Sequence, residues 1–501
     1  MHLQPAPKLS SHLGAPRRAT AYPSWILRVG LVLAFGPCLV LIIGEWQGRA
    51  FFIEPVQLFV LGAVGFGALW LGTRGKISYV SPVVFAILFL ISYPLRVISV
   101  ETNPIAWRIG LVPSPVGRFP FTNSAYWTFV VIAVIGISGL TAGQFIVRRW
   151  LSRQHAVPKF KVHSNPINLL FAGWVWFGIS VAILLLSVVT RIGSLGLVSI
   201  VLPFKLTGLV YFLRILVLPL LGMYLFGVAV ETNQRRQARI LVLMSLFLGV
   251  ISFPITLSKA ALLYALLPYA VYLSIYAYYY PLSRQLLRSI LVAIILLLPV
   301  GVFSVQVARD FAYSTGRLAS GSYIVEGFSS DVASRSVSEL AGNLYGLIID
   351  RVTGGSELMG VLASPLYGSS DLILRVVLGQ GTNADLRIGD VLKEIYGVVL
   401  INDGGVYQGR TMGLFGLLYL SHDPFLLFLL GLILGGLVLW VEDFFLRNTN
   451  AALAAGVGFM VSLGMWEGVF DNLYKYPVFL GGILVASRIL SNNARRASRH
   501  V

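Results

Sequence analysis

Residues 424–441 read PFLLFLLGLILGGLVLWV, a stretch without a single charge, bounded by His422-Asp423 on one side and Glu442-Asp443 on the other. A helix needs about 20 apolar residues to cross the hydrocarbon core of a bilayer. Backbone amides in hydrocarbon find no water, so such a stretch spans as a helix with its hydrogen bonds closed inside the segment. Working outward, eleven further runs share this character: 25–43, 55–71, 79–98, 125–147, 167–189, 208–230, 240–256, 260–279, 289–306, 451–467 and 473–490. The expected fold is an all-α polytopic integral membrane protein with about 12 transmembrane helices.

Composition agrees. The 501 residues are 57% hydrophobic and 12% charged, about half the charged share of an ordinary globular protein. Mean hydropathy is +0.82. A net charge of +18 would suit a nucleic-acid binder only if the basic residues formed a stripe on a soluble fold. They lie instead in short clusters between apolar runs, so no nucleic-acid partner is expected. The single cysteine, Cys38, excludes a disulfide framework and a thiolate metal site.

The clusters alternate. Lys8, Arg17, Arg18, Arg74, Lys76, Arg148, Arg149, Arg153, Lys159, Lys161, Arg235, Arg236, Arg239, Arg284, Arg288, Arg447, Arg495, Arg496 and Arg499 fall on one side. The short loops of the other side hold Arg49, Arg108, Arg118, Arg191, Lys205, Lys259 and Lys475. Cytoplasmic loops carry the excess of Lys and Arg, which places both termini in the cytoplasm, as twelve spans require. The polar, Pro-rich segment 1–24 reads as a cytoplasmic tail rather than a cleavable leader. Residues 491–501 form a second, basic one.

The expected organisation is then helices one to nine over 25–306, an outer domain over 307–411 and helices ten to twelve over 412–490. A structureless connection as long as 307–411 is improbable, so it should fold as a small helical domain at the outer mouth. It carries 11 of the 20 acidic residues and eight basic ones. Opposite charges recur side by side in Arg309-Asp310, Asp350-Arg351 and Asp385-Leu386-Arg387. Ordinary surface ion pairs would look the same, but guanidinium groups gathered on a lipid-facing outer surface also suit a phosphate or pyrophosphate.

Charges within or closing the runs are few. Arg214 lies in the sixth, Lys259 opens the eighth and Glu467 closes the eleventh. Intramembrane ionisable groups mark a pathway or site by default; for Lys259 and Glu467, snorkelling to the interface serves equally. Of six histidines only His422 is expected outside, beside Asp423, where it is either an interfacial residue or a general base. No phosphate-loop, zinc-helix or nucleophile-elbow motif is present. The first outer loop has Glu45 and Glu54 but no paired aspartates, which argues against metal-dependent polyprenyl-phosphate-sugar transferases.

The layout resembles the Wzy-type O-antigen and oligosaccharide repeat-unit polymerases, whose superfamily includes the O-antigen ligases. Three passages carry the likeness. Thr256-Leu257-Ser258-Lys259-Ala260-Ala261 is similar to a Ser-Arg-Gly passage, with lysine in place of arginine. Tyr345 to Gly355, YGLIIDRVTGG, resembles an Arg-x-x-Gly passage of the large loop. Gly413-Leu414-Phe415-Gly416 looks like the glycine-rich re-entry into the membrane. The resemblance implies a glycosyltransferase of the bacterial inner membrane, active at the periplasmic face without metal or cofactor. Its donor would be a glycan on undecaprenyl pyrophosphate and its acceptor a sugar hydroxyl of a second lipid-linked repeat. Expected partners are those lipid-linked oligosaccharides, membrane lipids and a chain-length regulator protein. Candidate pyrophosphate ligands are Lys259, Arg309, Arg351 and Arg410, with Arg214 for a deeper contact. The candidate bases are His422, Asp350 and Glu467. A ligase would share the layout. A transporter of lipid-linked sugars should show internal repeats and broken helices at the midplane, and no repeat is visible between the halves.

Overall fold

The computed structural model describes residues 23–74, 78–102, 119–154, 169–194, 200, 202, 203, 206–258, 261–277, 281–315, 326, 354–363, 413–467 and 475–497. Every regular element among them is helical. In chain order these are α1 (Ser24–Trp46), α2 (Pro55–Thr73), α3 (Val80–Leu90), a π-helical turn (Ile91–Leu95), α4 (Arg96–Thr102), α5 (Asn123–Gln154) and α6 (Leu169–Thr190). There follow α7 (Leu206–Phe212), a second π turn (Leu213–Val217), α8 (Leu218–Glu231), α9 (Arg235–Thr256), α10 (Ala261–Ile275) and α11 (Pro281–Thr315). Last come α12 (Gly355–Ala363), α13 (Gly413–Leu418), α14 (Pro424–Asn448), α15 (Ala451–Trp466) and α16 (Lys475–Ala497).

Nine helical stretches among the described residues are long and apolar enough to cross a membrane. The other three expected spans give shorter apolar helices, Ala261–Ile275, Ala451–Trp466 and Tyr476–Arg488. The second of these has a clear physical reason. Helix α15, AALAAGVGFMVSLGMW, is apolar on every side and buried along nearly its whole length. At 1.5 Å per residue it is about 24 Å long, shorter than the roughly 30 Å hydrocarbon core. Enclosed by protein, it has no lipid thickness to match. Its small residues admit its neighbours: a Cβ on Gly456 would meet Leu220 of α8, and one on Gly458 would meet Glu442 of α14. Helices α1 and α6 lie at the rim and expose Val32, Leu39, Phe171 and Val189, as lipid-facing helices should.

The tightest seam joins α5 to α14. Gly136, Gly139 and Gly143 face Gly431, Gly435 and Gly436, so the two backbones touch. A Cβ on Gly139 would come within 2.5 Å of the Phe428 carbonyl oxygen, and one on Gly143 or Gly435 would collide with the carbonyl of Leu432 or Leu140. Helices in lipid gain nothing from hydrophobic burial against each other, so close contact through small residues is what holds them together.

The expected end of the ninth run at 306 is not a helix boundary. Helix α11 continues unbroken to Thr315, carrying Arg309 and Asp310 on one rod with the membrane segment. At about 52 Å it is longer than the hydrocarbon core requires. Of the expected outer domain 307–411, the described residues are otherwise Glu326 and 354–363.

Cross-helix contacts sort the bundle into two ends. At one end Asn123 of α5 meets Glu54 and Gln57 before and in α2, and Tyr126 meets Glu101 of α4. At the other, Arg148 of α5 donates to the carbonyls of Leu71 and Gly72, and Tyr79 donates to Asp443 at 2.7 Å. Helices α2, α3–α4 and α5 therefore run alternately between these two ends.

Candidate functional site

The first of these ends gathers the unusual chemistry. Pro94 lacks a backbone N–H, so the regular helix cannot continue through it. The chain relaxes into the π turn Ile91–Leu95 and resumes as α4. Such turns are frequent at functional sites. This one places Ser92, Tyr93 and Arg96 in the interior, where Arg96 is 4% exposed and Tyr93 fully buried. The Tyr93 ring stacks on Phe89 at 4.7 Å and lies against Phe129, Phe415 and Trp466. Its hydroxyl has no hydrogen-bond partner among the described residues.

Docked on this turn is segment 354–363, which together with Glu326 is the described part of the long connection after α11. Gly354 has φ +151°, a conformation that L side chains avoid, and a Cβ there would press on Ser92. A Cβ on Gly355 would lie 2.5 Å from the Ser92 carbonyl oxygen. Two glycines thus let the segment lie backbone to backbone on the membrane helix. The next two residues fasten it. Arg96 Nε donates to Ser356 Oγ at 2.7 Å, and Arg96 Nη2 pairs with Glu357 Oε1 at 3.4 Å. Glu357 Oε2 accepts from Ser356 Oγ at 2.9 Å and from the Gly354 amide at 2.7 Å. The last contact also caps α12, since Glu357 is its third residue and reaches back to the residue before the helix.

Three candidate residues are described with their side chains. His422 follows α13 in a turn with a left-handed backbone, φ +55°. Its ring stacks on Tyr419 at 5.3 Å and hydrogen-bonds to the main chain of Val361 in α12. Burial pushes its pKa below the ordinary histidine value, opposed by the Val361 contact. Glu467 closes α15 and accepts a 2.6 Å hydrogen bond from the Tyr264 hydroxyl in the first turn of α10. Its neighbour Trp466 donates from Nε1 to Ser92 Oγ at 2.9 Å. His422 and Glu467 therefore belong to one connected end of the bundle, reached from Ser92 through α12 and through Trp466.

Arg214 is engaged with the turn that follows α6, which Ser194 ties to the Ile255 carbonyl near the end of α9. The arginine sits in the second π turn and donates to the carbonyls of Ile192 and Gly193 at 2.7 and 3.1 Å, just past the end of α6. Arg214 thus satisfies two carbonyls of the turn that follows α6. Arg309 lies on α11, in its last turns. Lys259, Asp350, Arg351 and Arg410 fall outside the described residues.

Arg96, Ser356, Glu357 and Trp466 were missed in the sequence. Arg96 is masked there by the apolar run 79–98 that contains it, although Pro94 two residues earlier marks a break. Gly354-Gly355-Ser356-Glu357 was legible as a helix start with an acid at its third position. Among the described residues no three or more His, Cys, Asp or Glu side chains gather as metal ligands would. No family model matches this chain, and neither a curated protein nor a solved structure matches it.

Proposed function

We propose that this protein is a bacterial inner-membrane glycosyltransferase that polymerises oligosaccharide repeat units carried on undecaprenyl pyrophosphate. Twelve spans, both termini in the cytoplasm and a helical periplasmic domain complete the reading. The observation that carries it is the fastening of the charged outer segment onto a helix end through Arg96, Ser356 and Glu357, at the same end as His422 and Glu467. A donor anchored by its lipid tail would present its pyrophosphate at that level.

The acceptor hydroxyl attacks the anomeric carbon of the donor glycan. The bond from that carbon to the pyrophosphate oxygen breaks, and undecaprenyl pyrophosphate departs with the bonding electron pair. The hydroxyl proton passes to His422, Asp350 or Glu467. Lys259, Arg309, Arg351 and Arg410 are the cations proposed to stabilise the charge growing on the leaving group, where preorganised cations accelerate the reaction most. The leaving group is already activated, so the step needs no nucleotide. Arg214, which also donates to the Ile192 and Gly193 carbonyls, is reserved for a deeper contact.

The test is the surface-glycan profile of a deletion strain complemented with wild type or with Arg351→Ala. We expect glycans capped by a single repeat in the deletion. Wild type restores long chains, and Arg351→Ala restores fewer than a tenth of them at equal membrane level. Full-length polymer accumulating on its lipid carrier would instead identify a ligase, and an unchanged profile would overturn both.

A further inference from the structure

We propose that Arg96 is a positioning residue: through Ser356 and Glu357 it holds helix α12 on the membrane bundle, and α12 in turn holds the His422 imidazole. The inference rests on the reading of His422 as the group that takes the acceptor proton.

Each link is a contact between side chains or between side chain and backbone. Arg96 is joined to Ser356 and Glu357 in the first turn of α12. Those residues are buried, and Glu357 also ties down the Gly354 amide that precedes the helix. Helix α12 has only nine residues, too few to be stable by itself. Its position depends on what grips it. The body of α12 packs on α13, where Gly416 faces Val361 and Glu357. Helix α13 leads directly into the turn in which Tyr419 stacks on the His422 ring, with the Val361 main chain beside it. The His422 turn carries a left-handed backbone that is unfavourable for a residue with a Cβ. Such a conformation persists where surrounding contacts over-determine it. Arginine suits the grip because its planar fork reaches a hydroxyl and a carboxylate at once, which a lysine cannot do.

The test uses a disulfide in place of the ion pair. A Cβ on Gly416 would lie 3.6 Å from Val361 Cγ2, ordinary contact that leaves room for a cysteine pair. Val361→Cys and Gly416→Cys are introduced together in full-length protein carrying Cys38→Ser, and crosslinking is followed in membranes under mild oxidation. With Arg96 present the bond should form readily. Arg96→Ala should lower the crosslinking rate at least fivefold, and Arg96→Lys should fall between. Product formation from lipid-linked repeats should drop at least tenfold in kcat for reduced Arg96→Ala, with KM little changed. The fraction that does crosslink should recover most of the rate of the crosslinked protein that keeps Arg96.

Equal crosslinking with and without Arg96 would overturn the proposal. So would a rate that stays low in the crosslinked Arg96→Ala protein, since Arg96 would then act on the substrate itself. If Arg96→Ala does not reach the membrane, Glu357→Gln and Ser356→Ala break the same grip from the other side and are read in the same way. Crosslinking needs no substrate. A failure of the polymerase reading therefore shows in the glycan profile, and a failure of the grip shows in the crosslink.

Discussion

At the scale of single residues, several charges near the helix ends complete a backbone. Glu442 is fully buried and accepts from the Val80 and Ser81 amides at 2.5 and 2.9 Å, capping α3 from a different helix. Asp423 caps α14 by accepting from Phe425 and Leu426, and Asn450 caps α15 while donating to the Tyr224 carbonyl. Arg148 serves carbonyls at the end of α2, and Arg214 serves those of the turn after α6. In hydrocarbon these terminal groups have no water to turn to. Glu442→Ala should therefore lower the amount of folded protein in the membrane severalfold. Fluorescence size exclusion in detergent would check it, and an unchanged monodisperse peak would count against the cap. Arg96 differs from this set because it joins side chains of a distant segment, Ser356 and Glu357. His422 differs in its titration. Burial lowers its pKa below the usual value of about 6.5, so the neutral ring prevails at pH 7. A folded pKa below the unfolded one means that its docked state is fully favoured above the ordinary value and loses ground as pH falls through the lowered one. The acid limb of the rate should lie below pH ~6.5 and vanish in His422→Gln. A limb that survives the substitution would assign the base to another group.

At the scale of elements, the seam between α5 and α14 decides how closely the bundle can pack. Replacing Gly143 by leucine forces a side chain into the Leu432 carbonyl, and overpacking of this kind costs about 1–3 kcal/mol or more. Gly143→Leu should lower the melting temperature in detergent, while Gly178→Leu on rim helix α6, where a Cβ meets nothing within 4 Å, should leave it unchanged. Equal effects would mean that the seam is not a close contact. Element existence was legible because hydrophobic runs of span length have one stable solution in lipid. Their ends were less so. The π turn at Pro94 carries the third run on to Thr102, and α11 runs past 306 because nothing between Val307 and Thr315 opposes helix. Hydropathy measures what a segment buries in lipid, and it says nothing about where a helix stops outside.

At the scale of the whole molecule, the two ends of the bundle do different things. One end closes on caps and on the Tyr79–Asp443–Arg447 cluster. The other holds two helices interrupted by π turns, the docked helix α12 and the His422 and Glu467 side chains. The Arg96–Glu357 contact was not readable, because its partners are 261 residues apart and each has an ordinary local reading. The central claim is that this end joins lipid-linked repeats without outside energy. The measurement that tests it most directly is reconstitution of the purified protein into liposomes with undecaprenyl-pyrophosphate-linked repeat units, in the presence of a metal chelator and without nucleotide. The account predicts a product ladder spaced by one repeat, with one undecaprenyl pyrophosphate released for each bond formed. Repeats that remain monomeric while the protein is folded, or that merely change leaflet, would contradict it.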